Sequence, residues 1–267
     1  MKKDTLTAMM NTFGSTQDEK TRTLLENIMK TVNAEASQKA TASMDNALQS
    51  FSQAKAAHTE SMLKLNDIGA AITRSEKERQ SALDESAEAE QNWRTRFRQL
   101  RGVMTPELKA EHSQRVAGRE LAEEFTALIG ELETDKTSAM LDACRSGKEY
   151  VIAHQAALSV CANNAWSAVM ENISPALVRA FSLRLRELGM KGDDNASSTL
   201  IQELGAHLLT QSRFYSFNME QEPVISQLGL HRPALTGVDM ELYKSPARRM
   251  KLSKELAEKK QAQGNNK

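Results

Sequence analysis

Histidine, cysteine and a run of arginines are the side chains here with the greatest scope for chemistry. His58, His112, His154, His207 and His231 are widely spread. None has an Asp or Cys partner at the spacing of a metal motif or a catalytic triad, so they are expected to be packed or surface imidazoles. Cys144 and Cys161 fit no CxxC or zinc-ligand spacing. On one continuous helix they would point about 100° apart. Two reduced, packed thiols are therefore expected, the state of a cytoplasmic protein. Arg94, Arg96, Arg98 and Arg101 could bind phosphate, but Glu88, Glu90, Glu107 and Glu111 share the stretch, which makes an ion-paired surface the better reading. No nucleophile, carboxylate pair or phosphate-cradling glycine loop stands in a recognisable context. The expected chemistry is that of contact, with no catalysis, metal or cofactor.

The elements that would carry such contacts are helices. From Met44 to Leu100 the chain keeps one heptad register without a proline. One position reads Met44, Phe51, His58, Leu65, Ile72, Arg79, Ser86, Trp93, Leu100; the other reads Leu48, Lys55, Met62, Gly69, Glu76, Leu83, Glu90, Phe97. This 4-3 spacing predicts a long helix whose apolar seam needs a partner, roughly 85 Å if continuous. Between Arg79 and Glu90 only Leu83 is apolar in that register, so that stretch is expected to be solvated, bent or paired with charge. Aromatics make up 4% of the chain and proline occurs five times; the dominant residue types lose least on entering a helix. A mean hydropathy of −0.53 leaves few core residues for the length. Together these predict an all-α protein, an elongated bundle of long antiparallel helices with coiled-coil-like packing, and an irregular C-terminal segment ending in a basic helix. Lys plus Arg equals Asp plus Glu at 35 each, so no net field draws nucleic acid or an anionic membrane. The basic N-terminus has no apolar stretch behind it and no eighteen apolar residues run together, so neither export nor a membrane span is expected.

Three segments follow: an arm or short helix over 1–43, a helical rod or bundle over 44–189, and a helical and extended segment over 190–267. Thr16 with Glu19 offers a capping box, and the small polar run Lys39 to Ser43 reads as a joint. The rod ends near Gly102, where Thr105 and Pro106 supply an N-cap and first residue for a helix that folds back. That helix is expected to run to about Gly147, and Gly118 and Gly130 within it mark possible crossing points. A further helix from Tyr150 reaches Ser174, Pro175 starts the next with Gly189 as its stop, and a short amphipathic helix spans Thr199 to Ser212. Phe214, Tyr215 and Phe217 then form an aromatic segment suited to binding across a surface. Ser245 and Pro246 start a last helix with Lys244, Arg248, Arg249, Lys251, Lys254, Lys259 and Lys260, expected to meet an acidic patch on a protein, with RNA the weaker option. Gln261 to Lys267 reads as frayed.

The run Trp93 to Arg98, then Gly102-Val103, Glu107-Leu108-Lys109, His112, Arg115-Val116-Ala117 and Arg119-Glu120-Leu121, resembles the capsid size-determination (Sid) proteins of helper-dependent satellite bacteriophages. Tyr150, Ala153-His154, Leu177 to Ala180, Leu235-Thr236-Gly237, Met240 and Pro246 to Arg249 follow in similar order. The resemblance runs from about Phe51 to Leu256. It implies an external scaffold that associates with itself into an open cage over a growing procapsid. The cage forces the major capsid protein of a helper bacteriophage into a smaller icosahedron. It further implies work in the host cytoplasm, on the outside of the procapsid, and absence from the mature virion. The expected hinge or interface residues are Trp93, Phe97, Arg98, Arg115 and Arg119 near the first turn, Phe214, Tyr215 and Phe217 in the aromatic segment, and Arg248 and Arg249 in the basic helix. Trp93 and Phe97, one turn apart, suit a hinge core. The rival readings are a polarity-suppression type of satellite-phage protein, which decorates capsids and binds a transcription termination factor, and a generic coiled-coil adaptor.

Overall fold

A computed structural model describes residues 19–264; the Thr16 half of the expected capping box and the last three residues lie outside them. The described chain is all-α: α1 Glu19–Gln99, α2 Pro106–Glu171, α3 Pro175–Met190, α4 Ala196–Phe214, α5 Pro223–Leu228, α6 Met240–Lys244 and α7 Pro246–Gly264. It divides into two compact units. One holds the described part of Met1–Phe51 with Ala153–Arg232, the other Ser52–Ile152 with the described part of Pro233–Lys267.

Helix α1 covers 81 residues and passes through Lys39–Ser43 without a break. The expected joint is helical because that run holds neither Gly nor Pro, and the Thr41 hydroxyl folds back to donate to the Ser37 carbonyl at 3.0 Å. Helix α2 likewise runs unbroken through Gly147, where two helices were expected. A Cβ on Gly147 would sit 3.2 Å from His58 Cε1 and 3.3 Å from Leu235. Tertiary packing around that glycine outweighs its poor helix propensity.

A Schellman turn makes the reversal between the two helices. The Gly102 N–H donates to the Phe97 carbonyl at 3.0 Å and the Arg101 N–H to the Arg98 carbonyl at 3.1 Å. Arg101 takes the left-handed conformation at φ 52°, with Gly102 at φ 85°. Thr105 then caps α2, its Oγ1 accepting from the Leu108 N–H at 3.3 Å, and Pro106 is the first helical residue.

Pairing of α1 with α2 is antiparallel in each unit. In the second unit, Ser86 donates to the Arg115 carbonyl at 3.0 Å and His58 meets Ser146. In the first, Asn164 donates to the Ala40 carbonyl at 3.3 Å and Phe51 lies against His154, ring centroids 5.8 Å apart. Half of the expected seam holds: Phe51, His58, Leu65 and Ile72 are buried. The other half shifts by one residue. Ser75 and Ala82 are buried while Lys55, Glu76 and Leu83 are exposed, so the partner position lies three residues on from the first, not four. The facing residues of α2 are also small, with Ala122, Ala139, Ala143 and Ala157 almost wholly buried. Small side chains let the helix axes approach closely, and a search for large apolar residues passes over them.

Gly118 belongs to this approach. A Cβ there would meet Ser86 Cβ at 3.2 Å and the Ala82 carbonyl oxygen at 3.3 Å, whereas one on Gly130 would meet nothing. Only Gly118 of the two marks a crossing. The second unit closes on Leu65, Ala139, Ala143, Cys144, Val238 and Leu242.

His58 is buried beside this core. Ser146 Oγ donates to the Ala143 carbonyl at 3.3 Å, so the His58 Nδ1–H, 3.2 Å away, donates to Ser146. Tyr150 stacks on the imidazole at 5.8 Å. Burial holds the His58 pKa below its ordinary 6.5.

Two predictions follow from this packing. Replacing Gly118 with Leu forces two backbones apart and lowers stability by about 1–3 kcal/mol, while Gly130→Ala raises it by roughly 0.5–1 kcal/mol; urea denaturation distinguishes them. The unfolded chain protonates His58 more readily than the folded one, so its contribution to stability is complete above about pH 6.5 and falls as pH drops below that value. His58→Gln should remove that slope from stability measured between about pH 5 and 7.

Candidate interaction surfaces

Beside the first turn, Trp93 and Phe97 stack with centroids 5.0 Å apart. The Arg115 guanidinium lies 4.6 Å over the Trp93 ring. Its Nη1 donates to Glu90 Oε2 at 2.5 Å and its Nη2 to His112 Nδ1 at 2.8 Å. His112 also lies 5.7 Å from Trp93. Around this knot Arg94 pairs with Glu90 at 2.5 Å and Arg96 with Glu111 at 2.6 Å. Burial alone would raise the Glu90 carboxyl, but the hydrogen bond and charge of Arg115, with Arg94 behind them, hold it below the usual carboxylate range. Arg98 is exposed, and Arg119 is exposed with Glu123 3.9 Å away. The arginines of this region are thus largely satisfied by carboxylates, as the alternation of sign in the sequence indicates.

A second surface surrounds α6 and α7. Asp239 caps α6, its Oδ1 accepting from the Glu241 N–H at 2.9 Å and the Leu242 N–H at 3.0 Å. The Arg249 guanidinium donates to the Leu242 carbonyl at 2.9 Å and to that of Tyr243, satisfying the far end of the same short helix. Arg249 therefore fastens α7 to α6. Arg248 is exposed and pairs with Glu241. Lys251 and Lys254 face solvent. A groove of about 920 Å³ separates α2 from α7, lined by Leu141, Arg145, Lys148, Ile152, Met250 and Lys254 among others.

The third surface belongs to the first unit. Phe214 ends α4 at 82% exposure, Tyr215 follows on extended backbone, and its ring meets that of Phe217 edge to face at 5.0 Å. Trp166, Val169 and Met170 at the end of α2 and Ile173 just beyond it are also exposed, as are Leu177, Val178, Leu183 and Met190 on α3 and Ile201, Leu208 and Leu209 on α4. On α3 and α4 only Leu188 and Leu200 are fully buried. Exposed apolar side chains in this number make the unit a candidate for contact with a partner.

Burial pushes both thiols up. Asp239 adds to the effect at Cys144, partly offset by Arg249, and Glu222 adds to it at Cys161. Both therefore stay protonated at neutral pH. Among the described residues no group of three or more His, Cys, Asp or Glu could hold a metal ion, and no helix is long and apolar enough to cross a membrane.

A family model described as phage polarity suppression protein (Psu) matches residues 79–261. The chain belongs to the Psu family. Within its wider kin, Glycoprotein 3 of Enterobacteria phage P4 is 28% identical over 213 residues, 76% of this chain and 86% of that protein. The fold also superposes on a chain of the satellite phage P4 procapsid including size determination (Sid) protein. The TM-score is 0.72 at 26% identity, over 83% of this chain and 98% of that one. The resemblance to Sid drawn from the residues is borne out by this match, and the chain is a Sid-like member of the Psu family.

Sequence spacing paired Trp93 with Phe97 and placed Glu90 among the carboxylates of an ion-paired surface, but it gave no sign that Arg115 would join Glu90 to the Trp93 ring or that Asp239 would cap the helix that Arg249 complements. Arg115 lies 25 residues from Glu90 and meets it only through helix pairing. Because Arg115 serves a carboxylate, an imidazole and an indole face at once, Lys cannot replace it. Arg115→Lys should lower stability by about 1–2 kcal/mol near neutral pH, and the deficit should shrink as pH falls below the usual carboxylate range, because the parent loses the Glu90 contribution there and the variant no longer has it to lose; denaturant titration at two pH values measures both.

Proposed function

We propose that this protein is an external scaffold that associates with itself into a cage on a helper-phage procapsid and directs the major capsid protein into a smaller icosahedral shell. The observation that carries the reading is the superposition on a chain of the P4 procapsid with Sid over 98% of that chain's length. The surfaces support it as well. Each unit offers exposed side chains on paired helices, and a binder can choose between two nearly balanced shells only through a differential affinity for one curvature. Contacts repeated over a linked cage can each be weak, because every one raises the effective concentration of the next.

In this reading the helices of 44–189 are the strut, 1–43 an accessory arm and 190–267 the contact segment. Phe214, Tyr215 and Phe217 supply aromatic anchors for the coat protein, with Arg248 and the exposed lysines of α7 meeting acidic groups on it. The protein acts by binding, without catalysis, from the outer side of the procapsid, and leaves before the virion matures. The family's description favours a second reading, a polarity-suppression protein acting on transcription termination. The near-complete structural overlap with the procapsid chain supports the scaffold more strongly.

Co-expression with candidate helper coat proteins, followed by electron microscopy of shell diameter, tests the proposal. At least one coat protein should yield shells smaller than it forms alone; unchanged diameters with all of them would count against it.

A further inference from the structure

The outer face of α4 carries an arrangement that the protomer does not use. Leu200 is buried and Leu204 half-buried. Leu208, further along the same row, is 55% exposed, and in the neighbouring row Ile201 and Leu209 are 62% and 64% exposed. Midway along the stripe from Ile201 to Leu209 stands Gly205, itself half-buried, where an added Cβ would meet nothing within 4 Å. A glycine in a helix interior weakens the helix relative to alanine. Here neither a turn, a positive φ nor a neighbour within the chain requires it. A glycine flanked by exposed Ile and Leu is what a second helix needs in order to approach closely.

The order of residues identifies that second helix. Counting outward from Gly205, Ile201 and Leu209 stand four residues away on either side, and Ser198 and Ser212 seven away. The stripe reads nearly the same in both directions and holds no charge. A two-fold contact needs such a patch, because each residue must meet its counterpart in reverse order. We infer that α4 pairs antiparallel with α4 of a second copy of this chain, crossing at Gly205. Ile201 of each copy packs on Leu209 of the other, and Ser198 lies opposite Ser212. Glu203, which reaches Arg184 on α3 at 3.5 Å, stays outside the stripe and leaves the crossing apolar.

The exposed Ile and Leu side chains offer on the order of 300 Å² per copy, below the roughly 800 Å² per partner of a stable standard-size interface. The pairing is therefore weak and concentration-dependent. It deepens the cage reading by naming one self-contact and rests on that reading only for its purpose.

Cysteine placed at the crossing tests the contact in purified full-length protein without coat protein. Oxidation of Gly205→Cys with diamide should give several-fold more disulfide-linked dimer than His207→Cys, on the far side of the same turn, or than the parent with its two native thiols. Sedimentation equilibrium should show the parent dimerising at high concentration. Ile201→Arg with Leu209→Arg should weaken that association at least about tenfold with the circular dichroism of the parent. Equal cross-linking at positions 205 and 207 would overturn the inference, and so would association untouched by the double substitution. Protection of the 205 thiol from alkylation by coat protein alone would assign the face to the coat and also overturn it. A chain that cross-links at 205 yet leaves every shell at full size would preserve this contact while removing the scaffold reading.

Discussion

Close approach between α1 and α2 is the constraint on which the remaining structure rests. Neither helix is strongly amphipathic in the ordinary sense; the seam between them mixes Phe51, Leu65 and Ile72 with Ser75, Ala82, Ala122, Ala139, Ala143 and Ala157. Small residues bury little apolar area each, so the stabilisation comes from many contacts spread along the helices and from satisfied polar groups within the seam. His58 with Ser146 and Ser86 with the Arg115 carbonyl are those groups. They also set register. An alanine-rich seam could slide by a heptad at small loss, but a slide would leave each of these polar atoms buried without a partner.

The C-terminal residues complete that seam as well as extending from it. Val238 and Leu242 join the buried cluster on α1 and α2, and Leu235 and Met62 pack against it. Met62 comes within 2.9 Å of where a Cβ on Gly237 would stand, at a backbone φ of 85° that itself favours glycine. Arg249 ties the basic helix to the end of α6. The basic helix is thus two things at once: its Arg249 side holds the fold, and Lys251 and Lys254 project from its other side. Removing the helix whole would confound the two roles.

Much of the helical framework could be read from the sequence, because helix class, turn and cap are written locally. Thr105-Pro106, Ser174-Pro175 and Ser245-Pro246 each precede a helix where expected. The register of the second seam position could not be read, since Ser75 and Ala82 give little hydrophobic signal and Leu83, which does, faces solvent. Breaks expected at Lys39–Ser43 and Gly147 failed for a related reason: propensity is a weak local preference, and packing against a distant residue decides the outcome. Gly118 and Gly130 look alike in sequence, yet only the first lies under another backbone. The aromatic segment was visible as composition, whereas the near-palindrome on α4 acquires meaning only once Ile201 and Leu209 are known to be exposed.

Magnitudes explain why a size-determining scaffold needs no deep pocket or strong single anchor. Moving a two-state choice from 1:99 to 99:1 takes about 5.5 kcal/mol of differential binding. Spread over about sixty symmetry-equivalent positions of an icosahedral shell, that is roughly 0.1 kcal/mol per position, far less than one hydrogen bond contributes. Rigidity then matters more than affinity. A flexible connector would accept either curvature with equal energy and so bias neither, however tightly its ends were bound. Uninterrupted helices such as the 81 and 66 residues here are elements that resist adapting in this way, because bending one strains its ladder of backbone hydrogen bonds.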